Sequence, residues 1–135
     1  MIGVVVVTHG QLATELVNAA ETIVGDLPRF AAVSIGWHED TQQAREEIAA
    51  AVARVAQKDG VLILTDMFGG TPSNLAMTFL TQHAVEVITG VNLPMLIKLA
   101  GLTEGADLLT VARDMREHGR HAIWVASDLL RGEKG

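Results

Sequence analysis

The sequence predicts an α/β domain built on a mainly parallel open sheet, with helices on both faces. Three observations lead there. Short apolar runs alternate along the chain with longer stretches whose apolar residues recur at helical spacing. Glycine and small polar residues collect where the apolar runs end, which is where ligands gather in such sheets. A length of 135 residues suits a single domain over 1–135, and 49% hydrophobic residues can form a core without covalent help.

The elements follow in order. Residues 2–7 form the first strand, because four consecutive valines are buried-strand material. A helix over 11–24 places Leu12, Leu16, Ala19, Ala20 and Ile23 on one face, and Gly25 stops it. Residues 30–35 form the second strand, and Asp40 with Gln43 resembles a capping box for a helix reaching about Lys58. The third strand is 61–65; Thr71 as N-cap and Pro72 as first helical residue then open a helix to about Gln82. A fourth strand over 85–88 leads to a short helix at 95–100. Thr103 caps a further helix stopped by Gly119, with Leu108, Val111, Ala112 and Met115 inward. Residues 121–126 read as a fifth strand, and 127–135 as a frayed tail.

Composition excludes several functions. There is no cysteine, so there is no disulfide framework and no thiolate ligand or nucleophile. A net charge of −6 argues against nucleic acid as a partner but admits a basic protein. Tyrosine is absent and aromatics are few, so base-stacking platforms are missing. The opening apolar run ends at Thr8 and His9, far short of a membrane span, and lacks the basic leader of a signal peptide. Glu86, Asn92, Pro94 and Lys98 break the apolar stretch over 85–102. A cytoplasmic protein is expected, one that meets a membrane only by docking.

Four strand exits should lie side by side, at 8–10, 36–39, 66–74 and 90–94. A lone histidine at a strand end usually has a structural role. Asp66 alters that reading for His9, since first and third strands are commonly neighbours in such sheets. A carboxylate accepting from Nδ1–H fixes the tautomer and leaves Nε2 as a nucleophile. Gly69-Gly70-Thr71-Pro72 suits a phosphate: glycines let backbone amides approach, a helix start adds unpaired N–H groups, and Thr71 offers a hydroxyl. Gly10 and the start of the first helix supply a second such terminus. Neither a P-loop nor a dinucleotide fingerprint is present, and no histidines sit at metal-ligand spacing, so no metal or other cofactor is expected. Trp37, Met67, Phe68 and Pro72 form a candidate apolar rim for protein docking. His38, beside Glu39 and Asp40, reads as a solvated loop residue, and His83, His118 and His121 as element ends.

Three motifs carry a resemblance: Thr8-His9-Gly10 after the valine run, Asp66 through Asn74, and Gly90-Val-Asn-Leu-Pro-Met95. In this order the sequence strongly resembles the mannose-family IIA component of the bacterial sugar phosphotransferase system, over about 1–126. The resemblance implies that His9 accepts a phosphoryl group from the histidine-containing phosphocarrier protein and passes it to a IIB component. The IIB component in turn serves a membrane IIC/IID pair. It also implies that Asp66 orients the ring so that Nε2 is phosphorylated, that Thr71 helps bind the group, and that the protein is a homodimer. The two subunits would exchange a final antiparallel edge strand, here 121–126. Many members are fused to a IIB domain, which these residues do not include, and the loop at Trp37 matches no pattern that can be carried over. Other readings are a regulatory IIA-like sensor, a dihydroxyacetone-kinase phosphotransfer subunit, a flavin or nucleotide binder, and a receiver domain phosphorylated on Asp66. The receiver reading lacks the acidic pair expected after the first strand and the late lysine. None of the features names the sugar.

Overall fold

The computed structural model describes residues 1–37, 40–81 and 84–132. His38, Glu39, Gln82 and His83 lie outside the described residues. Four strands, β1 (Gly3–His9), β2 (Phe30–Ile35), β3 (Val61–Thr65) and β4 (Val85–Thr89), form one parallel sheet in the order β2-β1-β3-β4. Six helices accompany them: α1 (Leu12–Val24), α2 (Thr41–Val55), α3 (Thr71–Met77), α4 (Leu93–Ala100), α5 (Leu108–His121) and α6 (Ala126–Leu130).

The strand order follows from the crossovers. The chain steps from β1 outward to β2, then back across β1 to β3 and on to β4. The reversal opens a crevice between the carboxyl ends of β1 and β3, the switch point where α/β sheets bind ligands. Side-chain alternation divides β1 between two cores. Val4 and Val6 pack with Ala13 and Val17 of α1, Leu96 of α4 and Val111 of α5. Val5 and Val7 pack with Ile48 and Val52 of α2 and Leu75 of α3. All four valines are fully buried, each contributing roughly 1.5–3 kcal/mol of apolar burial. Helices therefore cover both faces, as expected. At the opposite end, the Arg29 guanidinium donates to the carbonyls of Ile2 (2.5 Å) and Leu99 (3.1 Å), closing the last turn of α4.

Several boundaries differ from the expectations, each for a local reason. The expected fifth strand at 121–126 is not formed; α5 runs on to His121, and α6 begins at Ala126. Among the described residues the outer edge of β4 has no strand partner, and the segment between the two helices joins no strand. Gly119 is a packing residue rather than a stop: a Cβ there would lie 2.7 Å from the Met95 sulfur. The N-cap of α5 is Asp107, whose carboxylate accepts from the Thr110 amide at 3.1 Å, instead of Thr103. Gly70, at φ +86°, is the N-cap of α3, so Thr71 and Pro72 fall one position further in than expected. α3 ends at Met77 and tightens into a 3-10 turn over Thr78–Thr81. Asp40 caps α2 through the Gln42 amide, and α2 ends at Val55, short of Lys58.

Candidate active site

His9 is the last residue of β1, paired with Ile35 of β2. By strand alternation it shares a face with Val5 and Val7 and turns toward the side where α3 begins. Asp66 follows the last residue of β3 directly, so the two residues flank the switch-point crevice. Asp66 Oδ2 lies 2.7 Å from His9 Nδ1 and accepts the His9 backbone N–H at 3.0 Å. The other carboxylate oxygen accepts the Met67 amide at 3.0 Å. One carboxylate thus fixes both the ring and the backbone of the same histidine.

The electrostatics set the tautomer. Burial disfavours the charged carboxylate, but hydrogen bonds from the His9 ring and amide, and attraction to that ring, outweigh it. Asp66 is therefore held below the usual carboxyl range and is ionised at neutral pH. An ionised carboxylate only accepts, so in the neutral form of the ring the hydrogen sits on Nδ1 and the lone pair is on Nε2. The His9 side chain is 52% exposed, against 14% for Asp66, so the imidazole faces solvent while its partner is shielded.

Gly70 forms the wall beside His9 Nε2. A Cβ at this position would lie 3.1 Å from both Nε2 and Cε1 of His9. The absent side chain leaves that ring edge open, and the positive φ directs the backbone into α3. Thr71 is exposed at the first position of α3. Gly10, at φ +55°, would meet nothing if it carried a Cβ, and its amide donates to the Ile35 carbonyl at 2.9 Å. The first turn of α1 is partly occupied already, since the Ala13 amide donates to Thr8 Oγ1 at 2.7 Å.

Of the four apolar rim candidates, Trp37 (93%), Phe68 (73%) and Met67 are exposed at the strand exits, whereas Pro72 is buried. Among the described residues no three potential metal ligands gather, and no helix is long and apolar enough to cross a membrane. The Thr8 side chain, not singled out among the candidate residues, is fully buried and bonded to both α1 and His9. The available signal was a polar residue in register with the inward Val4 and Val6.

Residues 3–115 match the family described as PTS system fructose IIA component. The chain belongs to the mannose-family IIA components of the sugar phosphotransferase system. Its relatives include a fructose-specific EIIA component of Bacillus subtilis (strain 168), 29% identical over 99% of this chain and 92% of that protein. A sorbose-specific EIIA component of Lacticaseibacillus casei is 33% identical over 72% of this chain and 70% of its own length. The mannose-specific EIIAB component of Escherichia coli (strain K12) is 34% identical over 72% of this chain, which spans only 30% of that longer protein. Among solved structures, the mannose/sorbose specific IIA subunit from Enterococcus faecalis superposes with a TM-score of 0.81 at 27% identity, over 92% of this chain and 93% of that one. This IIA component is thus a phosphotransferase-system protein, and its crevice holds a histidine and an aspartate already in contact.

Proposed function

We propose that this IIA component is a phosphohistidine carrier. It accepts a phosphoryl group on His9 Nε2 from the phosphorylated histidine-containing phosphocarrier protein and passes it to a IIB component for sugar uptake. The observation that carries the reading is the Asp66–His9 Nδ1 contact at 2.7 Å, which leaves Nε2 unoccupied beside Gly70. In the transfer, the Nε2 lone pair forms a new P–N bond as the donor's P–N bond breaks, and the departing imidazole keeps the electron pair. The Nδ1 hydrogen stays in place, so the phosphorylated ring is cationic and the Asp66 carboxylate offsets its charge. The open edge at Gly70, the exposed Thr71 hydroxyl, Gly10 and the amides entering α3 suit the three phosphoryl oxygens.

Trp37, Met67 and Phe68 surround the same exits and fit a docking rim for both protein partners. The IIB component then phosphorylates sugar entering through the membrane IIC/IID pair, a role that suits a cytoplasmic protein. The protein works as a homodimer in this reading. A groove of about 470 Å³ runs beside the open edge of β4, between Ile88, Ala112 and Arg116, and Ile123, Trp124 and Val125 are exposed beyond α5. A second copy supplying its own 121–126 segment as an antiparallel strand would cover both.

The test is incubation with the phosphorylated carrier protein. Labelling that is acid-labile, base-stable and abolished by His9→Ala is expected. Label surviving His9→Ala would remove His9 from the role.

A further inference from the structure

We propose that Thr8 is a positioning residue for His9, holding its backbone from the α1 side of the sheet while Asp66 holds its ring and amide from the end of β3. Thr8 is fully buried at the end of a run of valines. Its Oγ1 lies 2.7 Å from the Ala13 amide and 3.1 Å from the His9 carbonyl oxygen. An amide N–H can only donate, so Oγ1 accepts there, and its single hydrogen goes to the His9 carbonyl. One hydroxyl therefore links the first turn of α1 to the peptide that follows the nucleophile.

That peptide needs the restraint. It leads into Gly10, whose φ of +55° and lack of a side chain leave the backbone otherwise free. Its N–H is held by the Ile35 carbonyl at 2.9 Å and its C=O by Thr8. A second hydroxyl pair, Ser34 Oγ and Thr14 Oγ1 at 3.1 Å, fastens the next residue of α1 to β2, directly beside Thr8 in the sheet register. Asp66 holds the His9 amide and ring from β3. The direction of the His9 Cα–Cβ bond is set by both sides together, and with it the distance from Nε2 to Gly70. Removing the Thr8 hydroxyl frees one side and leaves the Ala13 amide unpartnered. Thr8 touches no solvent, so partner binding is unaffected.

The experiment compares Thr8→Val, Thr8→Ser and Val17→Ala, the last chosen to destabilise the same helix without touching the hydroxyl. Two readouts are taken: steady-state acceptance from the phosphorylated carrier protein, and the nitrogen-15 signature of the His9 ring in unphosphorylated protein. Thr8→Val is expected to lower kcat by about tenfold or more with KM held within about twofold, and to mix the ring tautomers. Thr8→Ser restores both, and Val17→Ala leaves both as in the wild type while lowering Tm. A wild-type ring signature and kcat in Thr8→Val overturns the proposal. So does equal impairment of Thr8→Ser, or the same changes in Val17→Ala. The kinetic readout rests on the phosphoacceptor reading and the ring signature does not. A wild-type chain that takes no phosphoryl group sinks that reading and leaves the tautomer comparison to decide on Thr8.

Discussion

Replacing Gly70 with alanine separates what its backbone does from what its missing side chain does, because Gly69 supplies a matched control. Gly69 and Gly70 both have positive φ, +94° and +86°. An L-residue at such a position costs on the order of 1–3 kcal/mol, or a fall of very roughly 4–12 °C in Tm for a domain near this size. Both variants should show it. Their surroundings differ: a Cβ at Gly69 meets nothing within 4 Å, whereas a Cβ at Gly70 lies 3.1 Å from His9 Nε2 and Cε1. Ordinary carbon contacts lie near 3.5–4.0 Å, so the ring must retreat by several tenths of an ångström, and the methyl covers the attacking atom. A displacement of that order costs roughly tenfold to a hundredfold in rate. The assay is single-turnover acceptance from the phosphorylated carrier protein, alongside thermal unfolding of both variants. Gly69→Ala should lose stability but keep transfer within about threefold, while Gly70→Ala loses both. Equal transfer rates in the two variants would refute the assignment of Gly70 as the wall of the phosphoryl site.

Asp66→Asn removes the acceptor that fixes the ring, and transfer should fall on the order of a hundredfold or more in the same assay. Because folding lowers the Asp66 pKa, its stabilisation is present above the unfolded value of about 3.9 and is lost as pH falls through the lower folded value. The acid limb of a stability–pH curve should therefore be shallower in Asp66→Asn; identical limbs would contradict the pairing. Ser73 Oγ is buried in α3 without a partner, so Ser73→Ala should be neutral or stabilising by up to about 1 kcal/mol in urea unfolding, and a clear loss would reveal a partner. Ile123 and Trp124 are exposed apolar residues beyond α5. If they lie in a dimer interface, Trp124→Asp removes roughly 1.5–3 kcal/mol or more of apolar burial. That weakens self-association at least about tenfold in sedimentation, and a monomeric wild type at high concentration would contradict the interface.

β2 and β3 were legible to the residue because each is a largely apolar run bounded by turn residues. The His9–Asp66 contact was legible for a topological reason: with two crossovers in opposite directions, the ends of β1 and β3 must meet. Close packing was not legible. Gly119 resembles a helix stop, and only the Met95 sulfur against its α-carbon shows why a glycine sits inside α5. Pro72 belongs to an exposed motif in sequence but is buried once Gly70 takes the cap position. The segment beyond α5 has the apolar content of a strand, yet strand formation requires a neighbouring edge, and a pattern within one chain does not state whose edge that is.

The period of β1 sends its two adjacent polar residues, Thr8 and His9, to different partners. In a strand, neighbours face opposite sides, so Thr8 and His9 cannot share partners. His9 faces the α2–α3 side, where Gly70 stands; Thr8 faces the α1 side, where the Ala13 amide stands. The four valines before them are divided in the same way between the two cores. A shift of one residue in the β1 register would bury the imidazole against α1 and expose the hydroxyl to the crevice. Four identical valines do not resist that shift, but Gly3 does: a Cβ there would lie 2.2 Å from the Val55 carbonyl oxygen, so neither Ile2 nor Val4 can take its place. That close approach of β1 to the end of α2 therefore decides which of the two polar residues faces the crevice.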